Sequence, residues 1–178
     1  MKFVYDDGGR KEAGRKGDAG DCVTRAIAIA TGRPYAQVYD DMAQGNAEQR
    51  ITKRSRKSHG KRTASRGISV QRKWFKDYMA ALAWKWTPTM GIGTGCTVHL
   101  IDGELPMGRL IVSVSGHYTT VIDGVIHDTH DPSANRGTTI YPPNYPGVIP
   151  KAARWLSNGN GWAYSPDRCV YGYWQPNF

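Results

Sequence analysis

Apolar positions recur at helical spacing through the first half of the chain and alternate at strand spacing through the second. Residues 3–5, "FVY", form a short apolar run that fits an edge strand. From Cys22 onward, Ala26, Ile27 and Ala30 make an apolar stripe that predicts a helix. Asp21 is placed as its N-cap, its carboxylate accepting first-turn N–H groups, and Gly32 as the residue just past its end. Pro34 opens a second helix, in which Tyr35, Val38, Tyr39 and Met42 repeat at i, i+3, i+4, i+7, and Gly45 and Asn46 mark its end. Ser69 caps a third, with Val70, Trp74, Tyr78 and Leu82 at helical spacing. "TPTMGIGTG" (87–95) reads as a loop whose glycines allow close backbone approach.

Farther along, "RLIVSVS" (109–115), "HYTTVI" (117–122) and "VIHDT" (125–129) are β-branched and alternating. Asp123-Gly124, between the last two, is the strongest short hairpin signal in the chain. A Pro/Gly/Asn-rich stretch (131–167) precedes a final strand, "RCVYGYW" (168–174). Three of the six tryptophans lie between Tyr141 and Trp174, which fits a lid or groove wall and equally fits packing over the sheet. Helices followed by an antiparallel sheet predict an α+β fold in a single domain, 1–178.

Charge changes this picture at one place. Eight of the 24 basic residues fall in one acid-free run: Arg50, Lys53, Arg54, Arg56, Lys57, Lys61, Arg62 and Arg66. The remaining 16 nearly balance the 15 acidic residues, so any nucleic-acid or acidic-protein contact rests on this run. The enclosing segment, about 46–67, is polar and aperiodic and reads as a flexible basic insertion. No uninterrupted apolar window is long enough for a membrane span, and the first residues lack the apolar core of a secretion signal. Cys22, Cys96 and Cys169 are an odd, sparse set, from which we expect reduced thiols in a cytoplasm.

Candidate chemistry follows from the hairpin. A two-residue turn at Asp123-Gly124 pairs Ile122 with Val125, Val121 with Ile126 and Thr120 with His127. Side chains alternate by two, so His117, Thr119 and Val121 share a face with Ile126, Asp128 and His130. His117 and Asp128 are then diagonal neighbours within reach of one another, and His127 points the other way. Cys22 at a helix N-terminus has the setting that favours a thiolate, His117 is the base and Asp128 fixes its tautomer. A metal site is the competing arrangement, from the "CTVH" (Cys96, His99) and "HDTH" (His127, His130) spacings. Residues three apart on a strand face opposite ways, so no metal or other cofactor is expected.

"GDCVTRAIAIATG", "GRLIVSVSGHYTTVIDGVIHDT" and the order Cys, His, Asp resemble the papain-like cysteine peptidases. The chain is most similar to the small bacterial type, such as the peptidase domains of bacteriocin exporters, and to phage and bacterial proteins of similar length. The resemblance covers residues 18–40 and 108–131. It implies a hydrolase acting on a peptide or isopeptide amide through a thioester, phage- or mobile-element-encoded, with Cys22 as nucleophile, His117 as base and later acid, and Asp128 as orienting group. Asp131, in a "DP" pair, is the second candidate for that third role. Those peptidases carry a Gln before the Cys that helps bind the oxyanion. Residues 14–21, "GRKGDAGD", contain neither Gln nor Asn. The alternative is a non-catalytic binding or inhibitory module on the same scaffold, engaging a protein or nucleic acid through residues 50–66.

Overall fold

Helix α1 (Cys22–Thr31) has almost no exposed face, and the other elements are arranged around it. Every residue from Val23 to Ala30 is buried, because the sheet covers one side and a second helix the other. A computed structural model describes residues 1–17, 19–49, 63–133, 139–149, 154–155, 159–164 and 167–177. In chain order the elements begin with β1 (Lys2–Tyr5), α1, α2 (Tyr35–Glu48), α3 (Lys73–Ala81) and β2 (Trp84–Pro88). They continue with β3 (Arg109–Val114), β4 (His117–Ile122) and β5 (Val125–Asp128). Next come β6 (Thr139–Tyr141), β7 (Arg154–Trp155), β8 (Trp162–Tyr164) and β9 (Val170–Pro176).

The α+β class holds, with one correction to the sheet. Six strands run in the order β1-β5-β4-β3-β9-β2, and β1 lies parallel to β5, from Lys2 opposite Val125 to Tyr5 opposite Asp128. The sheet is therefore mixed rather than antiparallel, and it takes strands from both halves of the chain. β2 includes Thr87 and Pro88, expected in a loop, because the "WKW" run pairs antiparallel with β9. Within 131–167, β6, β8 and β7 form a separate three-stranded sheet. Trp174 takes the sheet-packing alternative, as a core residue against Phe75 and Trp86.

The large sheet has a core on each face. On one, α1, α2 and α3 bury Ile27, Val38, Met42, Phe75 and Met79 against Ile111 and Trp174. On the other, Leu110, Val112, Val114, Val121 and Ile126 pack with Leu100 and Val170. Thr120 Oγ1 donates to the Ala26 carbonyl at 2.9 Å, tying the middle of β4 to α1.

α1 ends as expected, with Gly32 at φ 70° donating its N–H to the Ala28 carbonyl. Two other helix boundaries differ. α2 runs through Gly45 and Asn46 to Glu48. Gly45 is a packing site, since a Cβ there would lie 2.3 Å from the Trp74 ring. Asn46 donates to the carbonyls of Thr63 and Gly67. Gly45→Ala should cost about 1–3 kcal/mol, read as a lower urea midpoint, because the Trp74 indole must be displaced. α3 begins at Lys73 rather than beside Ser69, whose carbonyl accepts the Arg72 N–H in a preceding turn. Phe75 and Met79 form its buried stripe, while Trp74 and Tyr78 flank it.

Only the two ends of the expected flexible basic insertion, 46–67, fall among the described residues; 50–62 lie outside them. Residues 46–48 belong to α2, and Ala64 is fully buried. Gly20 N–H bonds to the Ser65 carbonyl at 2.8 Å. Ser65 also hydrogen-bonds Tyr39, so the end of the segment is fastened beside the start of α1.

Cys96 and Cys169 are joined in a disulfide with Cα atoms 5.8 Å apart. This corrects the expectation of three reduced thiols. Leu100 N–H bonds to the Arg168 carbonyl and Val170 N–H to the Val98 carbonyl. The segment around 98–100 thus runs along the start of β9 and brings the two sulfurs together. Cys22 remains as the free cysteine.

Candidate active site

The Asp123-Gly124 turn sets the geometry of the site. Both residues have positive φ, 48° and 78°, as this tight hairpin requires. The resulting register matches the expected one: Ile122–Val125, Val121–Ile126 and Thr120–His127. At the open end of the hairpin, His117 Nε2 lies 2.7 Å from Asp128 Oδ2. Cys22 borders the same two cavities as the His117 ring, and the ring and the Tyr118 backbone both act on its thiol. Cys22 is the first residue of α1, and His117 the first of β4. The structure therefore brings Cys22, His117 and Asp128 into one connected chain of contacts.

Electrostatics favour the charged form of this chain. Burial alone would raise the Cys22 thiol, but the His117 bond, the Tyr118 N–H and the nearby positive charges of His117 and Arg25 bring it below the ordinary thiol value. Burial would lower His117; its bonds to Asp128 and Cys22 outweigh that and raise it to about 9. Asp128 is lowered against its own burial by His117 and by the Thr129 N–H, which donates to Oδ1 at 2.7 Å. The three shifts act in one sense, each favouring the charged form: thiolate, imidazolium and carboxylate.

Beneath it lies a second charged cluster. Asp21 is 1% exposed and, contrary to expectation, makes no side-chain cap. Its carboxylate instead accepts from Arg10 Nε at 2.7 Å, from the Tyr35 hydroxyl at 2.6 Å and from Arg25 Nη1. Arg25, 8% exposed, also approaches Asp128 Oδ1 at 3.7 Å. It therefore links the two carboxylates. The capping role is lost because two guanidinium groups offer the buried carboxylate stronger, charge-assisted bonds.

The other sequence candidates separate clearly. Asp131 accepts from the backbone and hydroxyl of its neighbour Ser133, so Asp128 is the carboxylate at His117. His127 faces away and pairs with Asp6 at 3.5 Å. Cys96 is in the disulfide and His99 pairs with Glu104, which dissolves the "CTVH" metal arrangement. Arg66 is exposed, and Arg50, Lys53, Arg54, Arg56, Lys57, Lys61 and Arg62 lie outside the described residues.

Cys22, Gly116 and His117 border two cavities. One, about 610 Å³, is walled by Val23, Ile68, Val70, Trp86 and Tyr118 and is largely apolar. The other, about 570 Å³, carries Tyr5, Asp7, Arg10, Arg25 and Thr129 and is polar. The thiol thus sits where an apolar and a polar depression meet. No protein-family model, curated protein or solved structure matches the chain.

Sequence reasoning missed three participants: the Asp21 cluster, Arg25 and the Tyr118 backbone. The Asp21–Arg25 spacing of four on a helix was a usable signal. Arg10 and Tyr118 come in through tertiary contacts that no local pattern encodes, whereas period-two alternation already put His130 on the face of His117 and Asp128.

Proposed function

We propose that the protein is a thiol-dependent hydrolase of papain-like type that cleaves a peptide or isopeptide amide. One observation carries this reading: a free cysteine at a helix N-terminus shares its cavities with His117, whose Nε2 is held by Asp128 at 2.7 Å. The Cys22 thiolate attacks the amide carbonyl carbon, and the resulting oxyanion lies near the first-turn N–H groups of α1. As the C–N bond breaks, His117 gives the Nδ1 proton to the departing amine and a thioester remains. His117 then takes a proton from water, which attacks the thioester and releases the carboxylate and Cys22. Asp128 holds the ring in orientation and stabilises its positive charge throughout. Cavities on both sides of Cys22 suit an extended chain with an apolar group on one side of the scissile bond. A cytoplasmic setting rested on reduced thiols, and the Cys96–Cys169 disulfide removes that support.

The test is the pH dependence of Cys22 alkylation by iodoacetamide, with peptide-library cleavage followed by mass spectrometry. Alkylation should rise with pH through a value below that of a free cysteine peptide, because the folded state lowers the thiol. Cleavage should fall as pH rises through about 9, where His117 loses the proton it gives to the leaving amine. Cys22→Ala should abolish cleavage. A wild-type thiol no more reactive than the peptide would remove the enzyme reading and leave a binding module on this scaffold.

A further inference from the structure

His130 places a third ligating group at the Asp128 end of His117. The two imidazole rings lie 4.7 Å apart between centroids. One ligand atom from each of His117, Asp128 and His130 falls within 4.8 Å of the other two. Two imidazoles and a carboxylate suit borderline divalent ions, and Zn²⁺ with three protein ligands takes water as its fourth. Zn²⁺ bonds of about 2.0–2.1 Å put tetrahedral donors roughly 3.3 Å apart. His117 Nε2 and Asp128 Oδ2, at 2.7 Å, need only part slightly to admit the ion. His130 is exposed and follows the end of β5, so its side chain has room to swing inward.

Two further features support a ligand here. Asp128 Oδ1 is already fixed by the Thr129 N–H at 2.7 Å and faces Arg25 at 3.7 Å, so Oδ2 is oriented as a metal-binding carboxylate needs to be. The polar cavity of about 570 Å³ is bordered by His117, Thr129 and His130, which gives a solvated path for the ion and room for its water.

We propose that His117, Asp128 and His130 form a Zn²⁺ site that competes with the Cys22–His117–Asp128 arrangement. The ion takes the place of the proton that joins Nε2 to Asp128. The ring's remaining proton stays on Nδ1, facing Cys22. A metal-bound ring cannot take up a second proton, so it no longer cycles between base and acid, and zinc holds the enzyme off. The inhibitory consequence rests on the thiol-hydrolase reading; the binding site itself does not.

The experiment is a Co²⁺ titration of the purified full chain, followed by visible absorption, with Zn²⁺ displacement measured by calorimetry. The wild type is expected to take up one ion with tetrahedral-type ligand-field bands and no thiolate charge-transfer band. His130→Ala should weaken binding at least about tenfold. Cys22→Ser should bind as the wild type does. His130→Cys, which keeps a ligand at that position, should restore affinity and add a thiolate charge-transfer band. No uptake by the wild type, or undiminished uptake by His130→Ala, overturns the site. Loss of uptake in Cys22→Ser also overturns it, by moving the ion onto the thiol. In the cleavage assay, Zn²⁺ should inhibit the wild type reversibly on adding a chelator. A metal-free protein that binds Co²⁺ but cleaves nothing would overturn the hydrolase reading while the site stands.

Discussion

Replacing His117 with alanine is expected to slow alkylation of Cys22 near neutral pH by about a hundredfold, the lower range of what a positioned acid–base partner contributes. The free thiol is held below its ordinary value by the His117 bond, the Tyr118 N–H and two nearby positive charges, all acting against burial. Removing the imidazole takes away the strongest of these favourable contacts and leaves the burial. The thiol then titrates higher, and the thiolate fraction near neutrality collapses. The assay is clean because Cys96 and Cys169 are tied to each other, so label uptake reports Cys22. Asp128→Asn should give a smaller loss, since it leaves the ring in place and weakens only its positive form. Equal rates for wild type and His117→Ala would show that the contact does not activate the thiol.

The largest stability effect is expected at Asp21. Asp21→Ala strips one buried carboxylate from two guanidinium groups and a tyrosine hydroxyl, leaving Arg25 inside without its main counter-charge. Breaking a buried ion pair from one side typically costs about 3–5 kcal/mol. For a chain of this size that is a fall of roughly 10 °C in Tm. Asp77→Ala is the control. Its pair with Lys73 has the same i, i+4 geometry but both side chains are largely exposed, so its loss should stay within about 0.5 kcal/mol. If the two variants melted alike, the Asp21 cluster would not be holding the start of α1. Cys22 reactivity in Asp21→Ala, measured well below its Tm, should also fall, because Arg25 loses the partner that positions it between Asp21 and Asp128.

Much of this arrangement could be read from local pattern. The hairpin register depended only on a two-residue turn and period-two alternation, and it carried the His117–Asp128 contact directly. The buried face of α2 depended only on 3.6-residue spacing, and Tyr35, Val38, Tyr39 and Met42 are all buried. Local pattern failed where a distant group changed the outcome. Gly45 looked like a helix stop because glycine is a poor helix former, but it is kept in the helix by the need to accommodate Trp74. Asp21 looked like a cap because capping is local, but Arg10 and Tyr35 outcompeted the backbone. Three cysteines looked unpaired because their number is odd, whereas spatial proximity decides which two join. The parallel pairing of β1 lay beyond reach for the same reason, since its partner is more than a hundred residues away.

That pairing has a consequence for how the protein is made. β1 leaves the ribosome more than a hundred residues before its partner strand, Val125–Asp128, is synthesised. His117, the main group acting to lower the Cys22 thiol, comes from the neighbouring strand β4, also made late. Contacts of such long sequence separation make folding slow and place site assembly near its end. During synthesis Cys22 is therefore an ordinary thiol without a base. Reactivity is switched on by completion of the hairpin, so a truncated or stalled chain lacks the activated nucleophile.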